Sequence, residues 1–114
     1  MDKIKVIVVD DSVFMRKALT KIINTDDIEV IETAVNGKDA IEKIKQYQPD
    51  IVTLDIEMPI MNGIDALKVI MKECPVPVIM ISTLTSEGAE ATIEALSNGA
   101  VDFVTKKPAF TEMN

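Results

Sequence analysis

The chain has 114 residues, 47% of them hydrophobic, and a net charge of −7. That length fits one domain able to bury its own core, and the composition excludes a disordered chain. The acidity argues against nucleic acid as a partner, since a phosphate backbone requires a basic patch. Histidine is absent and Cys74 is the only cysteine, which removes the commonest general base and most zinc sites. A single thiol before Pro75 fits a reducing compartment and reads as a small hydrophobe. No apolar run approaches the ~18 residues of a membrane span, and no basic-then-apolar signal segment opens the chain, so no membrane contact and a cytoplasmic location are expected.

Strand and helix signals alternate. Ile4 to Val9 is a β-branched, nearly continuous apolar run, as expected of a strand buried on both faces. Ser12 is placed to cap a helix carrying Phe14, Met15, Ala18, Leu19, Ile22 and Ile23 at helical spacing. Ile28 to Val35 reads as a second strand, closed by Asn36-Gly37. Ala40, Ile41 and Ile44 recur at helical spacing until Gln48-Pro49 stops them. Ile51 to Leu54 is a third strand, ending in Asp55; Pro59 and Asn62-Gly63 mark the turn after it. A helix with Ile64, Leu67, Ile70 and Met71 follows, then a strand from Val76 to Ile81. Glu87 to Ser97 is an alanine-rich helix closed by Asn98-Gly99, and Val101 to Thr105 is a fifth strand.

The βαβαβαβαβ order predicts the α/β class: a doubly wound parallel sheet with helices on both faces and a crevice at the carboxyl ends of the strands. Lys106 to Asn114, with Pro108 among them, is too short and too weakly periodic for a fifth helix, so the last helix is expected to be short or missing. The expectation is then a fragment of a longer chain, an apolar stripe open to a partner or a second copy, or a frayed tail.

Val6 to Val9 run directly into Asp10 and Asp11, and Asp55 ends the neighbouring third strand, so these carboxylates are expected to meet at one edge. Glu57 adds a further acid two residues on. Unit charges about 4 Å apart repel by ~1 kcal/mol in water and ~4 kcal/mol at a surface-like dielectric, so the cluster calls for a cation. Oxygen-only donors select a hard ion such as Mg²⁺, which prefers one or two carboxylates plus a phosphate oxygen. Lys106 ends the fifth strand on the same edge, and Ser82 or Thr83 offers a hydroxyl after the fourth. A metal cradle, a carboxylate, a hydroxyl and an ammonium suit phosphoryl transfer, with Asp55 as nucleophile. Asp55-Ile56-Glu57 also has the spacing of a Mg²⁺-dependent aspartate phosphatase. A flavin or dinucleotide carrier shares the topology but wants a different loop after the first strand, where Asp11-Ser12 stands. A docking module that is never phosphorylated is a third alternative.

The stretches VIVVDDS, LDIEMPIMNG, VIMIST and DFVTK resemble the receiver domain of two-component response regulators, across essentially the whole chain. The resemblance implies a flavodoxin-like receiver of strand order 2-1-3-4-5 over residues 1–114. By match to its motifs, Asp55 accepts a phosphoryl group from the phosphohistidine of a sensor histidine kinase. Asp10 and Asp11 hold Mg²⁺ at Asp55, with a backbone carbonyl near Glu57. Ser82, with Thr83 as the alternative, is the switch hydroxyl, and Phe103 is the switch aromatic. Lys106 pairs with the phosphoryl group; TKKP places Lys107 beside it as the other choice. DDSVFMRK and STLTSEGAEATIEALSNGAVDFVTK are further similar to the regulatory half of chemotaxis protein-glutamate methylesterases, where the receiver blocks a C-terminal esterase domain until phosphorylated. Without histidine this chain holds no Ser-His-Asp triad, so the esterase is expected outside it. A stand-alone receiver is the rival.

Overall fold

The structure, a computed structural model, describes residues 2–83 and 86–106. Its elements are β1 (Ile4–Val9), α1 (Val13–Ile23), β2 (Ile28–Ala34), α2 (Gly37–Tyr47), β3 (Ile51–Asp55), α3 (Gly63–Glu73), β4 (Val78–Thr83), α4 (Ser86–Ser97) and β5 (Asp102–Lys106). All neighbouring strands pair in parallel, in the order β2-β1-β3-β4-β5. The chain winds to one side of β1 for β2 and to the other for β3 onwards. That reversal opens a crevice above the carboxyl ends of β1 and β3.

Local sequence explains the element ends. Ser12, Asn36 and Asn62 each accept a hydrogen bond from the backbone N–H three residues on, capping α1, α2 and α3. α4 is closed two residues beyond Ser97 by Gly99, whose φ of +106° is left-handed. There the Ala100 N–H donates to Ala95 O (3.0 Å) and the Gly99 N–H to Leu96 O (3.3 Å), the two bonds of a Schellman motif.

β1 alternates between two apolar clusters, which is why it reads as a continuous apolar run. Ile7 and Val9 join Val52, Leu54, Val78 and Met80 under Ile41, Ile44, Leu67 and Ile70. Val6 and Val8 join Met15, Leu19 and Ile81 on the opposite face. Burial on both faces begins only at Val6; Ile4 and Lys5 are exposed. Of the apolar positions of α1, Met15 and Leu19 are buried while Phe14 and Ile22 stay exposed.

β4 starts at Val78, two residues later than the apolar pattern predicts. Val76 lies between Pro75 and Pro77, and proline donates no ladder hydrogen bond. Ser82 and Thr83 consequently belong to the end of β4 instead of following it, and β5 is likewise displaced by one residue to end on Lys106. The segment expected to be short of a last helix, from Lys107 onward, lies outside the described residues.

Gly63 ties α3 to the site. Its N–H donates to Ile56 O at 2.7 Å, and a β-carbon there would collide with the Asp55 carbonyl oxygen. Both are backbone contacts that cannot rotate away. Gly63→Ala is expected to lower the unfolding free energy by about 2–4 kcal/mol, read by urea denaturation. An unchanged midpoint and slope would contradict the close approach.

A carboxylate cluster with a buried lysine at the strand ends

Val9 is registered with Leu54 across the β1–β3 pair, so the next residues, Asp10 and Asp55, emerge side by side. Asp11 follows in the turn to α1. One carboxylate oxygen from each of Asp10, Asp11 and Asp55 lies within 4.8 Å of the others. Asp10 and Asp55 are 1% and 6% exposed, whereas Asp11 is exposed.

Lys106 reaches this cluster from the end of β5, with its side chain only 8% exposed. Its Nζ lies 3.0 Å from Asp10 Oδ2 and 3.3 Å from Asp55 Oδ1. The lysine thus stands between two carboxylates as an internal counter-ion. The crowding of acids read from the sequence is therefore offset in part from within the chain. Burial works against the ammonium, but contact with Asp10 and the charge of Asp55 outweigh it and raise Lys106 above its ordinary value.

The remaining oxygens are partly satisfied. Asp10 Oδ1 accepts the Ser12 N–H at 2.9 Å, and Asp55 Oδ1 accepts the Ile56 N–H at 2.9 Å. Asp10 Oδ2 is buried and meets no donor in hydrogen-bonding geometry, although Lys106 is at ion-pair distance. Three converging carboxylates, with neither nitrogen nor sulfur ligands among them and one ammonium to offset them, fit a hard divalent cation.

Asp55 is chemically distinct within the cluster. Burial first, and the charge of Asp10 second, push its carboxyl from 3.8 up to about 6, against the pull of Lys106 and the Ile56 N–H. It is therefore mostly ionised at neutral pH but costly to ionise.

The other expected residues fall as follows. Glu57 is exposed and does not join the three converging carboxylates; it lines an acidic cleft with Asp11, Asp65 and Glu94. Ser82 is buried at the end of β4, one position beyond Ile81, the register partner of Asp55. The backbone of Thr83 pairs with Lys106, but its side chain and all of Lys107 lie outside the described residues. Phe103 is half-buried against the larger apolar cluster, in register with Met80. Cys74 is a free, half-buried thiol that burial pushes up, which fits an unreactive hydrophobe.

Sequence reasoning missed Arg16, whose Nη1 donates to the Asp10 carbonyl oxygen at 2.8 Å. It also missed Thr53, whose buried Oγ1 has no partner two residues before Asp55. Arg16 stands inside a quoted motif, but spacing alone does not say that an arginine on the following helix turns back to a carbonyl. A threonine in a strand carries no signal of its own, because threonine is an ordinary β-former.

The sequence model for the response regulator receiver domain matches residues 6–114. The chain belongs to that family. It is 60% identical over 113 residues to the protein-glutamate methylesterase/protein-glutamine glutaminase of Pyrococcus abyssi, covering 98% of this chain and 31% of that protein. To the protein of the same description from Methanococcus maripaludis it is 57% identical over 107 residues, 93% of this chain and 29% of that protein. The chain thus spans about a third of the length of the curated relatives it matches. Among solved structures it superposes on the response regulator domain of Thermotoga maritima CheB with a TM-score of 0.88 and 52% identity, covering 96% of this chain and 87% of that one. The CheX-CheY-BeF3-Mg²⁺ complex from Borrelia burgdorferi gives a TM-score of 0.85 and 39% identity, over 97% and 84%.

The Asp55 value carries a sign for stability. An acid whose folded-state value is raised favours the protonated folded form, so stability falls as pH rises from about 3.8 to about 6 and stays lowered above it. The full difference is worth ~3 kcal/mol, and about 1–3 kcal/mol once water and ions entering the site are allowed for. In metal-free buffer Asp55→Asn is expected to be more stable than wild type by that amount at pH 7, and the gap should close at or below pH 4. Parallel stability curves across that range would contradict the buried-charge account.

Proposed function

We propose that the chain, over residues 1–114, is a phosphorylation-activated receiver domain in which Asp55 takes a phosphoryl group from a sensor histidine kinase. The observation that carries this reading is the meeting of Asp10, Asp11, Asp55 and Lys106 at one edge of the sheet. An ionised Asp55 oxygen attacks the phosphorus of the donor phosphohistidine. The new O–P bond forms as the P–N bond breaks, and the bonding pair leaves on the imidazole nitrogen. Lys106, already 3.3 Å from Asp55 Oδ1, offsets the added negative charge.

Mg²⁺, held by Asp10, Asp11 and Asp55 with a backbone carbonyl near Glu57, supplies neutralisation of the phosphoryl oxygens when bound. The oxygen-only set of three converging carboxylates supports that choice, as does the presence of Mg²⁺ in the similar Borrelia complex. Lys106 is preferred to Lys107 because its ammonium is already in the cluster.

Ser82, buried at the adjacent strand end, is the hydroxyl drawn to the phosphoryl group, with Thr83 as its alternative. Phe103 then changes its packing, and the surface of α4 and β5 is read by a partner. The methylesterase relatives support a C-terminal esterase domain as that partner, and with it a cytoplasmic chemotaxis role. No helix among the described residues is long and apolar enough to cross a membrane, and the net charge of −7 opposes nucleic acid binding. A homodimer through the face beside α1 is the other use of its exposed Phe14 and Ile22.

Incubation with Mg²⁺ and acetyl phosphate should add one phosphoryl mass to wild type and none to Asp55→Asn, read by intact mass. Equal labelling of both would overturn the assignment. Ser82→Ala should still be labelled, but its partner affinity should respond weakly to phosphorylation. A response equal to wild type would remove Ser82 from the switch.

A further inference from the structure

Arg16 lies on α1, six positions after Asp10, and donates to the Asp10 carbonyl oxygen at 2.8 Å. Its target is the main chain: among the described residues no carboxylate is in ion-pair range of Arg16, although Asp10 and Asp11 are close in sequence. Asp10 is 1% exposed, so a charged donor satisfies a carbonyl that water reaches poorly. Three bonds then hold this residue. Its N–H donates to Ala34 O (3.1 Å), its Oδ1 accepts the Ser12 N–H (2.9 Å), and its carbonyl accepts Arg16. Arg16 is itself held by the first turn of α1, where its N–H donates to Ser12 O at 2.9 Å.

The peptide group joining Asp10 to Asp11 is planar. Fixing its carbonyl fixes the nitrogen and α-carbon of Asp11, and so the point from which the exposed Asp11 carboxylate starts. With Oδ1 engaged by Ser12, the remaining Asp10 oxygen is Oδ2, which faces Lys106.

We infer that Arg16 is a positioning residue for the cation site: it holds the Asp10–Asp11 peptide so that both carboxylates converge with Asp55. This rests on the reading of the cluster as a Mg²⁺ site. The sign of the effect separates it from simple electrostatics. By Coulomb's law a nearby guanidinium opposes a bound cation, so removing its charge alone would tighten Mg²⁺ binding. Removing a positioning contact loosens it.

The experiment is calorimetric titration of MgCl₂ into wild type, Arg16→Met, Arg16→Gln, Arg16→Lys and Lys17→Met, with each fold checked by circular dichroism in EDTA. Methionine lacks the donor and glutamine lacks the reach, so both should weaken Mg²⁺ binding by roughly tenfold or more. Arg16→Lys, which keeps a donor, should recover most of the affinity. Lys17→Met removes an exposed neighbouring charge and should stay within about twofold of wild type or bind slightly tighter. If Arg16→Met fails to fold, Arg16→Gln decides. Equal or tighter Mg²⁺ binding by a folded Met or Gln variant overturns the inference. Wild type that binds no Mg²⁺ defeats the switch reading itself, and this inference with it.

Discussion

The contact on which the site depends is the bridge from Lys106 to Asp10 and Asp55, at 3.0 and 3.3 Å. Two buried carboxylates at the ends of adjacent strands would repel strongly if both were ionised with no cation between them. Lys106 makes the arrangement tolerable without neutralising it fully. Burial first, and the charge of Asp10 second, keep Asp55 reluctant to ionise, and the residual negative charge leaves the cluster with a remaining demand for positive charge. On the proposed reading, a divalent ion and a phosphoryl group would bring opposite charges to the same place, each making the other easier to accommodate.

The sheet order makes this bridge possible. β1 and β3 are neighbours, so Asp10 and Asp55 come out together, while β4 separates β3 from β5. Lys106 must span that gap from the far strand, which a four-carbon stem can do while keeping its ammonium at the carboxylates. Ser82 lies on the strand it crosses. Two devices then hold the loops: Gly63 lets α3 approach the Asp55 backbone, and the Arg16 contact pins the turn after β1.

Much of this was legible in the sequence because it depends on period and order. The apolar runs ending in Asp10 and Asp55 located β1 and β3, and Ser12, Asn36 and Asn62 marked the starts of three helices. What spacing could not give was side-chain direction. Glu57 looked like a fourth carboxylate, but two residues past a strand end the chain has already turned, and its side chain faces the open cleft. Lys106 was expected at the strand edge, yet its place between two acids follows only from the width of β4. The apolar run begins at Val76 but β4 begins at Val78, since the flanking prolines carry no ladder donor, and Arg16 has no spacing signal because its partner is a backbone oxygen.

The most direct measurement of the central claim is the titration of the Asp55 carboxyl carbon by NMR in metal-free buffer, repeated with saturating Mg²⁺. The account predicts a midpoint near 6 without metal, well above the ordinary 3.8, and a marked fall when Mg²⁺ is added. A midpoint near 3.8 in both conditions would show that the carboxylates neither crowd one another nor share a cation, and would contradict it.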